Sequence, residues 1–254
     1  MNKICRSLDE AVADIPDGAS IAMDSWAIAA TAQNLIAALK RKGTRDLTVI
    51  THCFIPMIFG EDTAVMPAVL LPQMKKLITP VVGIPHLGGI AFVEEYVNNG
   101  LEIEQTTIGT MSSRLYAGAV RMGGFYNPVG VGTVIENGKE KRVIEGQEYI
   151  FEKPIKPDYA FIRARKADKL GNLIYKGVFR GDQPVMAMAA KFTIAEVDEI
   201  VEPGEIDAEN VVTAGIFVDR VVKIPEDGLG TDRKLKEVVY ALYEIEPARK
   251  LMWG

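Results

Sequence analysis

Short β-rich runs alternate with amphipathic stretches along the first half of the chain. That alternation constrains the fold more than any other feature. Ser20–Met23 is a short apolar run after the turn signal Pro16-Asp17-Gly18. Thr31 to Lys42 reads as a helix with Leu35, Ile36 and Leu39 on one side, closed by Gly43. Asp46–Thr51 and Lys76–Thr79 read as strands, and Leu101–Gln105 as a strand with one wet face. Leu87 to Asn99 and Ile108 to Met122 read as helices. The pattern predicts βαβ units: an open, mostly parallel α/β sheet with helices on both faces.

The second half adds strands at Tyr159–Arg165, Asn172–Lys176, Phe192–Ile200 and Ile216–Val222, and a last helix over Thr231 to Ala248. Val185 to Ala190 is too short to assign. Between the halves, Gly132–Glu136 and Lys141–Phe151 read as an antiparallel hairpin turning at Asn137-Gly138. In open α/β sheets ligands sit at the carboxyl ends of strands. The loops after Met23, Thr51, Thr79 and Gln105 are therefore where a site is expected.

Composition removes several classes. With 254 residues, the chain can bury a core without staples. A net charge of −5 gives no basic footprint for nucleic acid. No run approaches the ~18 apolar residues of a spanning helix, and Met1–Glu10 does not read as a signal peptide. Cys5 and Cys53 have no disulfide or metal spacing, which points to a reducing, cytoplasmic compartment.

One collinear set of segments is more specific. It comprises Ile15-Pro16-Asp17-Gly18-Ala19, Asn34-Leu35-Ile36-Ala37-Ala38-Leu39, Asp46-Leu47-Thr48-Val49 and Pro128-Val129-Gly130-Val131-Gly132-Thr133. Lys166-Ala167-Asp168-Lys169, Gly171-Asn172-Leu173, Ile194-Ala195-Glu196-Val197 and Glu199-Ile200-Val201-Glu202-Pro203-Gly204-Glu205 follow. In this order they resemble the α subunit of class I (3-oxoacid type) CoA-transferases over about residues 3 to 222. The resemblance implies a CoA-transferase domain over 1–222; residues 223–254, with the helix expected over Thr231 to Ala248, form a C-terminal helical tail outside it. It implies a β-subunit partner in an α2β2 heteromer, with acyl-CoA and a carboxylate as substrates, no permanently bound cofactor and no metal. In the family a glutamate attacks acyl-CoA, and an anhydride and then a glutamyl-CoA thioester follow. That glutamate lies in a Glu-Asn-Gly motif of the β chain, so no catalytic nucleophile is expected here. Ile135-Glu136-Asn137-Gly138 contains the same letters but reads as a surface turn.

Departures from the family pattern, all but the last of those that follow, fall on the expected site loops. Asp24-Ser25-Trp26-Ala27 replace a Gly-Gly-Phe-Gly loop, and Ala30-Thr31-Ala32 its closing Gly-x-Pro. His52 stands where the family has a substrate-holding Asn. Thr107-Ile108-Gly109-Thr110 replaces Pro-Gln-Gly-Thr, whose Gln faces a substrate carboxylate. Arg180-Gly181-Asp182-Gln183-Pro184 replaces Arg-Asn-Phe-Asn-Pro. The substrate pocket is therefore expected from Asp24, Ser25, Trp26, Ala27, His52, Ile108 and Gly109, with His86 and Gln183 as further candidates. Asp24 either caps a turn or places a negative charge that a carboxylate substrate would resist. Hydrolysis or carbon–carbon cleavage of a CoA ester, with Asp24 or His52 positioning a water, is the alternative chemistry; a non-catalytic assembly role is the other.

Cys53 reads as an inert buried thiol beside His52, Glu94 and Glu95 as solvated, and Gly130–Gly132 as a turn rather than a phosphate loop. Met57, Met66 and Met74 read as core filler.

Overall fold

The structure is a computed structural model that describes residues 2–24, 30–54, 67–82, 89–176, 180–226 and 228, with 89–92 in backbone only. Among these residues the helices are α1 (Leu8–Val12), α2 (Gln33–Lys42), α3 (Gly89–Asn98), α4 (Ile108–Ala119) and α5 (Gln183–Ala189). The strands are β1 (Ser20–Met23), β2 (Leu47–Ile50), β3 (Met74–Thr79), β4 (Glu102–Gln105), β5 (Phe125–Asn127), β6 (Lys141–Ile144), β7 (Gln147–Glu152), β8 (Tyr159–Asp168), β9 (Leu173–Ile174), β10 (Phe192–Val201) and β11 (Arg220–Lys223).

Eight strands form one sheet in the order β11-β10-β8-β1-β2-β3-β4, with β9 on β8. Pairing along that path is parallel; β9 alone is antiparallel. The chain runs outward from β1 to β4, then returns to the other side of β1 at β8. The strand order reverses between β1 and β8, and a crevice opens above such a point.

Alternation along each strand divides the core into two layers. Ile21 and Met23 face α1 and α2 together with Leu35, Leu39, Val49, Leu77, Phe161 and Ile194. Ala22, one residue out of phase, faces α4 and α5 together with Ile50, Ile162, Met111, Leu115 and Met186. Full burial of each large apolar side chain is worth about 1.5–3 kcal/mol. The expected architecture, helices on both faces of a mostly parallel sheet, is what forms.

Two elements differ from expectation. Asn137-Gly138 does not turn the hairpin. Val134–Glu136 is a turn of 3-10 helix, and Asn137 (φ −56°, ψ 125°) with Gly138 (φ 74°) closes it in type II fashion. The antiparallel excursion is β5-β7-β6, and β6 meets β7 at Glu145-Gly146, where both residues have positive φ (51° and 81°). That is the backbone of the hairpin turn whose twist suits the strands. Ile216–Val222 is likewise not one strand. Gly215–Phe217 is 3-10 helix and β11 begins at Arg220. Asp219 interrupts the run: its N–H donates to Thr193 O (2.9 Å) and its Oδ2 accepts from Thr193 N (2.7 Å). The expected helix over 231–248 lies outside the described residues.

Candidate active site

The candidate residues that the structure describes enter at the carboxyl edge of the sheet. Asp24 follows β1 directly, and His52 lies two residues beyond β2. Ile108 and Gly109 open α4, after β4, while Asp182 precedes α5. Of these sequence-distant residues, Asp24, His52 and Asp182 meet, together with Ser112 of α4. His52 Nε2 lies 2.9 Å from Asp182 Oδ2, and Nδ1 lies 3.8 Å from Asp24 Oδ1. The Ser112 hydroxyl donates to Asp182 Oδ2 and also to Ile108 O at 3.2 Å.

Asp182 occupies the N-cap position of α5 but makes no capping hydrogen bond. An aspartate there ordinarily accepts from its own helix; this one is turned toward His52 and Ser112 instead. The His52 hydrogen bond, aided by Ser112, outweighs burial and holds the Asp182 carboxyl below the usual range. Asp24 and His52 form the floor, with side chains 1% and 6% exposed, while Asp182 reaches upward at 28%. Ile108 is 43% exposed and open space lies over Gly109. His52 Nδ1 has no hydrogen-bond partner among the described residues.

Room for Asp24 comes from Gly181. A Cβ at Gly181 would lie 2.2 Å from Asp24 Oδ2, and its φ is +45°. The Asp24 side chain and the bare backbone at 181 are therefore two sides of one exchange of volume.

A second buried cluster adjoins the first. The Asn34 amide donates to Glu196 Oε1 (3.0 Å), and Leu35 N–H donates to Oε2 (2.8 Å). Ala32, the N-cap of α2, offers no capping side chain. A carboxylate from β10 therefore caps the helix across the fold. Arg163 Nε lies 3.8 Å from Glu196, and Arg163 Nη2 pairs with Asp198 at 2.6 Å. Burial dominates these favourable contacts and raises the Glu196 carboxyl to about 7. Gln183 links the clusters: its Oε1 accepts from Arg163 N at 2.5 Å. Gln183 is fully buried, and this bond ties α5 to β8.

Ser25, Trp26, Ala27 and His86 lie outside the described residues, as do Met57 and Met66. Glu136 is engaged locally, accepting from Gly132 N at 2.6 Å and pairing with Lys141 at 2.7 Å. Cys53 is buried and its thiol is pushed up to about 11 by loss of solvent. Glu94 and Glu95 are exposed, and Met74 packs against the core. Among the described residues no group of His, Cys, Asp and Glu is arranged to hold a metal ion, and no helix is long and apolar enough to cross a membrane.

Ser112 and Asp182 are absent from the pocket expected on sequence grounds. The replacement at 182 of a family Phe by an acid was the available signal. Nothing marked Ser112, which matters only through its distance to residue 182.

A family model described as Coenzyme A transferase matches residues 5–224. The chain is 37% identical over 225 residues to one of the subunits of 3-oxoadipate CoA-transferase from Pseudomonas putida, covering 88% of this chain and 94% of that one. It is 35% identical over 224 residues to the corresponding subunit of succinyl-CoA:3-ketoacid coenzyme A transferase from Helicobacter pylori, covering 88% and 93%. The fold resembles the crystal structure of an acyl-CoA transferase (YdiF) from Escherichia coli O157:H7, with a TM-score of 0.77 and 23% identity. That match covers 91% of this chain but 49% of the other, so the chain spans about half of that structure.

Proposed function

The chain belongs to the coenzyme A transferase family, and on that premise we propose that it is the α subunit of a heteromeric CoA-transferase that moves CoA between an acyl-CoA and a carboxylate. One observation carries the reading. The chain spans 94% of a relative that is itself one subunit of a transferase, yet about half of a transferase chain of the same fold. It corresponds to one half of a two-half enzyme, and a β subunit supplies the other.

The partner's glutamate attacks the acyl-CoA carbonyl. The C–S bond breaks, and an acyl-glutamyl anhydride and CoA thiolate result. The thiolate then attacks the glutamyl carbonyl, which releases the carboxylate and leaves glutamyl-CoA; an acceptor carboxylate reverses both steps. No permanently bound cofactor enters this sequence. This chain walls in the acyl group. Asp24, His52, Ile108, Gly109, Ser112 and Asp182 contribute to that wall, and Ser25, Trp26 and Ala27 are the further pocket residues of this proposal. His86 is a further candidate for contact with the substrate, and Gln183 supports the pocket through Arg163. The assembly is α2β2, and the compartment is the cytoplasm.

A second reading draws on His52. One imidazole nitrogen is held by Asp182 and the other is buried without a hydrogen-bond partner among the described residues. A base so oriented suits activation of water on a CoA ester.

Co-expression with the β subunit, followed by acyl-CoA and hydroxylamine, tests the reading. Acceptor-dependent exchange and a trapped glutamyl thioester on the partner are expected. CoA release that needs no acceptor would favour hydrolysis, and absence of turnover with every acyl-CoA would refute both.

A further inference from the structure

We infer that this enzyme takes acyl groups whose far end is uncharged, apolar or hydroxyl-bearing, and rejects those ending in a second carboxylate. The inference rests on the reading that this chain walls in the acyl group. The reacting carboxyl meets the partner's glutamate, so only the far end of the acyl chain meets the residues described here.

The departures from the family pattern converge in space. Asp24, His52, Gly181 and Asp182 each differ from that pattern, and the structure brings them into one cluster, with Ile108, a further departure, one helical turn from Ser112 at its edge. They form a connected replacement. Gly181 vacates the volume that the Asp24 carboxylate fills, as the 2.2 Å approach of a built Cβ requires. Asp24 and Asp182 then flank a single imidazole at 3.8 and 2.9 Å.

Charge follows from that count. With Asp182 ionised, the trio carries no net positive charge in any protonation state. His52 and Ser112 both favour the ionised form of Asp182. Asp182 is also the most exposed of the three. An arriving group therefore meets an acceptor-only oxygen pair before it meets the imidazole. Ile108, 43% exposed, lies one turn before Ser112 on the same face of α4, and the Ser112 hydroxyl bonds to Asp182.

A carboxylate placed here finds a like charge and an apolar neighbour. A methyl terminus finds Ile108, and a hydroxyl finds an ionised acceptor. Like-charge juxtaposition is a common means of refusing a wrong partner. The relatives are named for 3-oxoadipate and succinyl-CoA, and both present a second carboxylate. The inferred selectivity sets this chain apart from them.

Three four-carbon donors isolate the effect in the enzyme assembled with its partner: butyryl-CoA, 3-hydroxybutyryl-CoA and succinyl-CoA, with acetate as acceptor. The expected result is a kcat/KM for succinyl-CoA at least about tenfold below the other two. Asp182→Asn is expected to raise the succinyl-to-butyryl ratio by about tenfold. Ile108→Lys, at an exposed position where folding is not at stake, is expected to move the ratio the same way. A wild-type preference for succinyl-CoA overturns the inference and leaves the proposed function standing. So does an unchanged ratio in Ile108→Lys. Exchange from none of the three donors overturns the proposed function, and the inference with it.

Discussion

Glu196→Gln tests whether the buried carboxylate under α2 is a net cost to the fold. Glu196 is fully buried and accepts from Asn34 and Leu35, with Arg163 nearby. Hydrogen bonds to a charged group are worth about 1.5–3 kcal/mol each. Burying the ion costs several kcal/mol. The balance is read from the carboxyl itself, raised from the ordinary 4.5 to about 7. At about 1.4 kcal/mol per tenfold change in proton affinity, the ionised form is disfavoured in the fold by about 3 kcal/mol. The sign follows from linkage. Below pH 4.5 both folded and unfolded chains hold the proton, and there is no penalty. Between 4.5 and about 7 the folded chain holds the extra proton, so stability falls as pH rises and levels off above 7. Glutamine cannot ionise and lacks this slope. Urea unfolding of wild type and variant, followed by far-UV circular dichroism from pH 4.5 to 8, reads the difference. The variant should gain about 3 kcal/mol on the wild type across that window. A difference that stays flat would mean Glu196 is ionised throughout. The cluster would then be a stabilising ion pair, and the reasoning would be refuted.

Four other outcomes are expected. Gly181→Ala should cost about 2–4 kcal/mol in urea melts, because it adds backbone strain at φ +45° and a clash with buried Asp24; Asp24→Gly in the same chain should restore most of it, and strictly additive losses would contradict the shared volume. His52→Gln removes the main influence holding the Asp182 carboxyl low. Asp182 stabilises the fold above the ordinary aspartate pKa, and that contribution is lost as pH falls through its lowered value, so the variant should acid-unfold at higher pH; an unmoved acid midpoint would argue against the pair. Cys53, buried and raised to about 11, should alkylate at least about a hundredfold more slowly than free cysteine at pH 7.5, and stoichiometric labelling of the native chain within minutes would show the site is open. Glu145→Asn should stabilise by about 0.5–1 kcal/mol, since residue 145 holds φ 51° in a two-residue hairpin turn that favours Asn-Gly; a loss of stability would argue against that turn geometry.

The parallel sheet was legible because its signals are local. Ser20–Met23 and Phe192–Val201 carry their own β-rich composition, and Gly43 at φ 76° ends α2 as its position suggests. The hairpin was misplaced because Asn-Gly favours more than one turn type. Here the choice fell to Glu145-Gly146, a pair with a weaker intrinsic signal. The site was half legible. Asp24, His52 and Ile108 could be singled out by departure from a family pattern, each on its own loop. No spacing rule connects residues 24, 52, 112 and 182, and their meeting is a product of strand order. Gln183 shows what sequence position leaves out: its Oε1 accepts from Arg163 N, a link between α5 and β8 that no local pattern announces.

The proposed chemistry divides its labour between two polypeptides. Initial rates of CoA exchange, measured on the purified chain with increasing amounts of its partner, test that division most directly. The expected result is no thioester turnover without the partner and a rate that saturates at one partner per chain. Full turnover by the chain alone would contradict it.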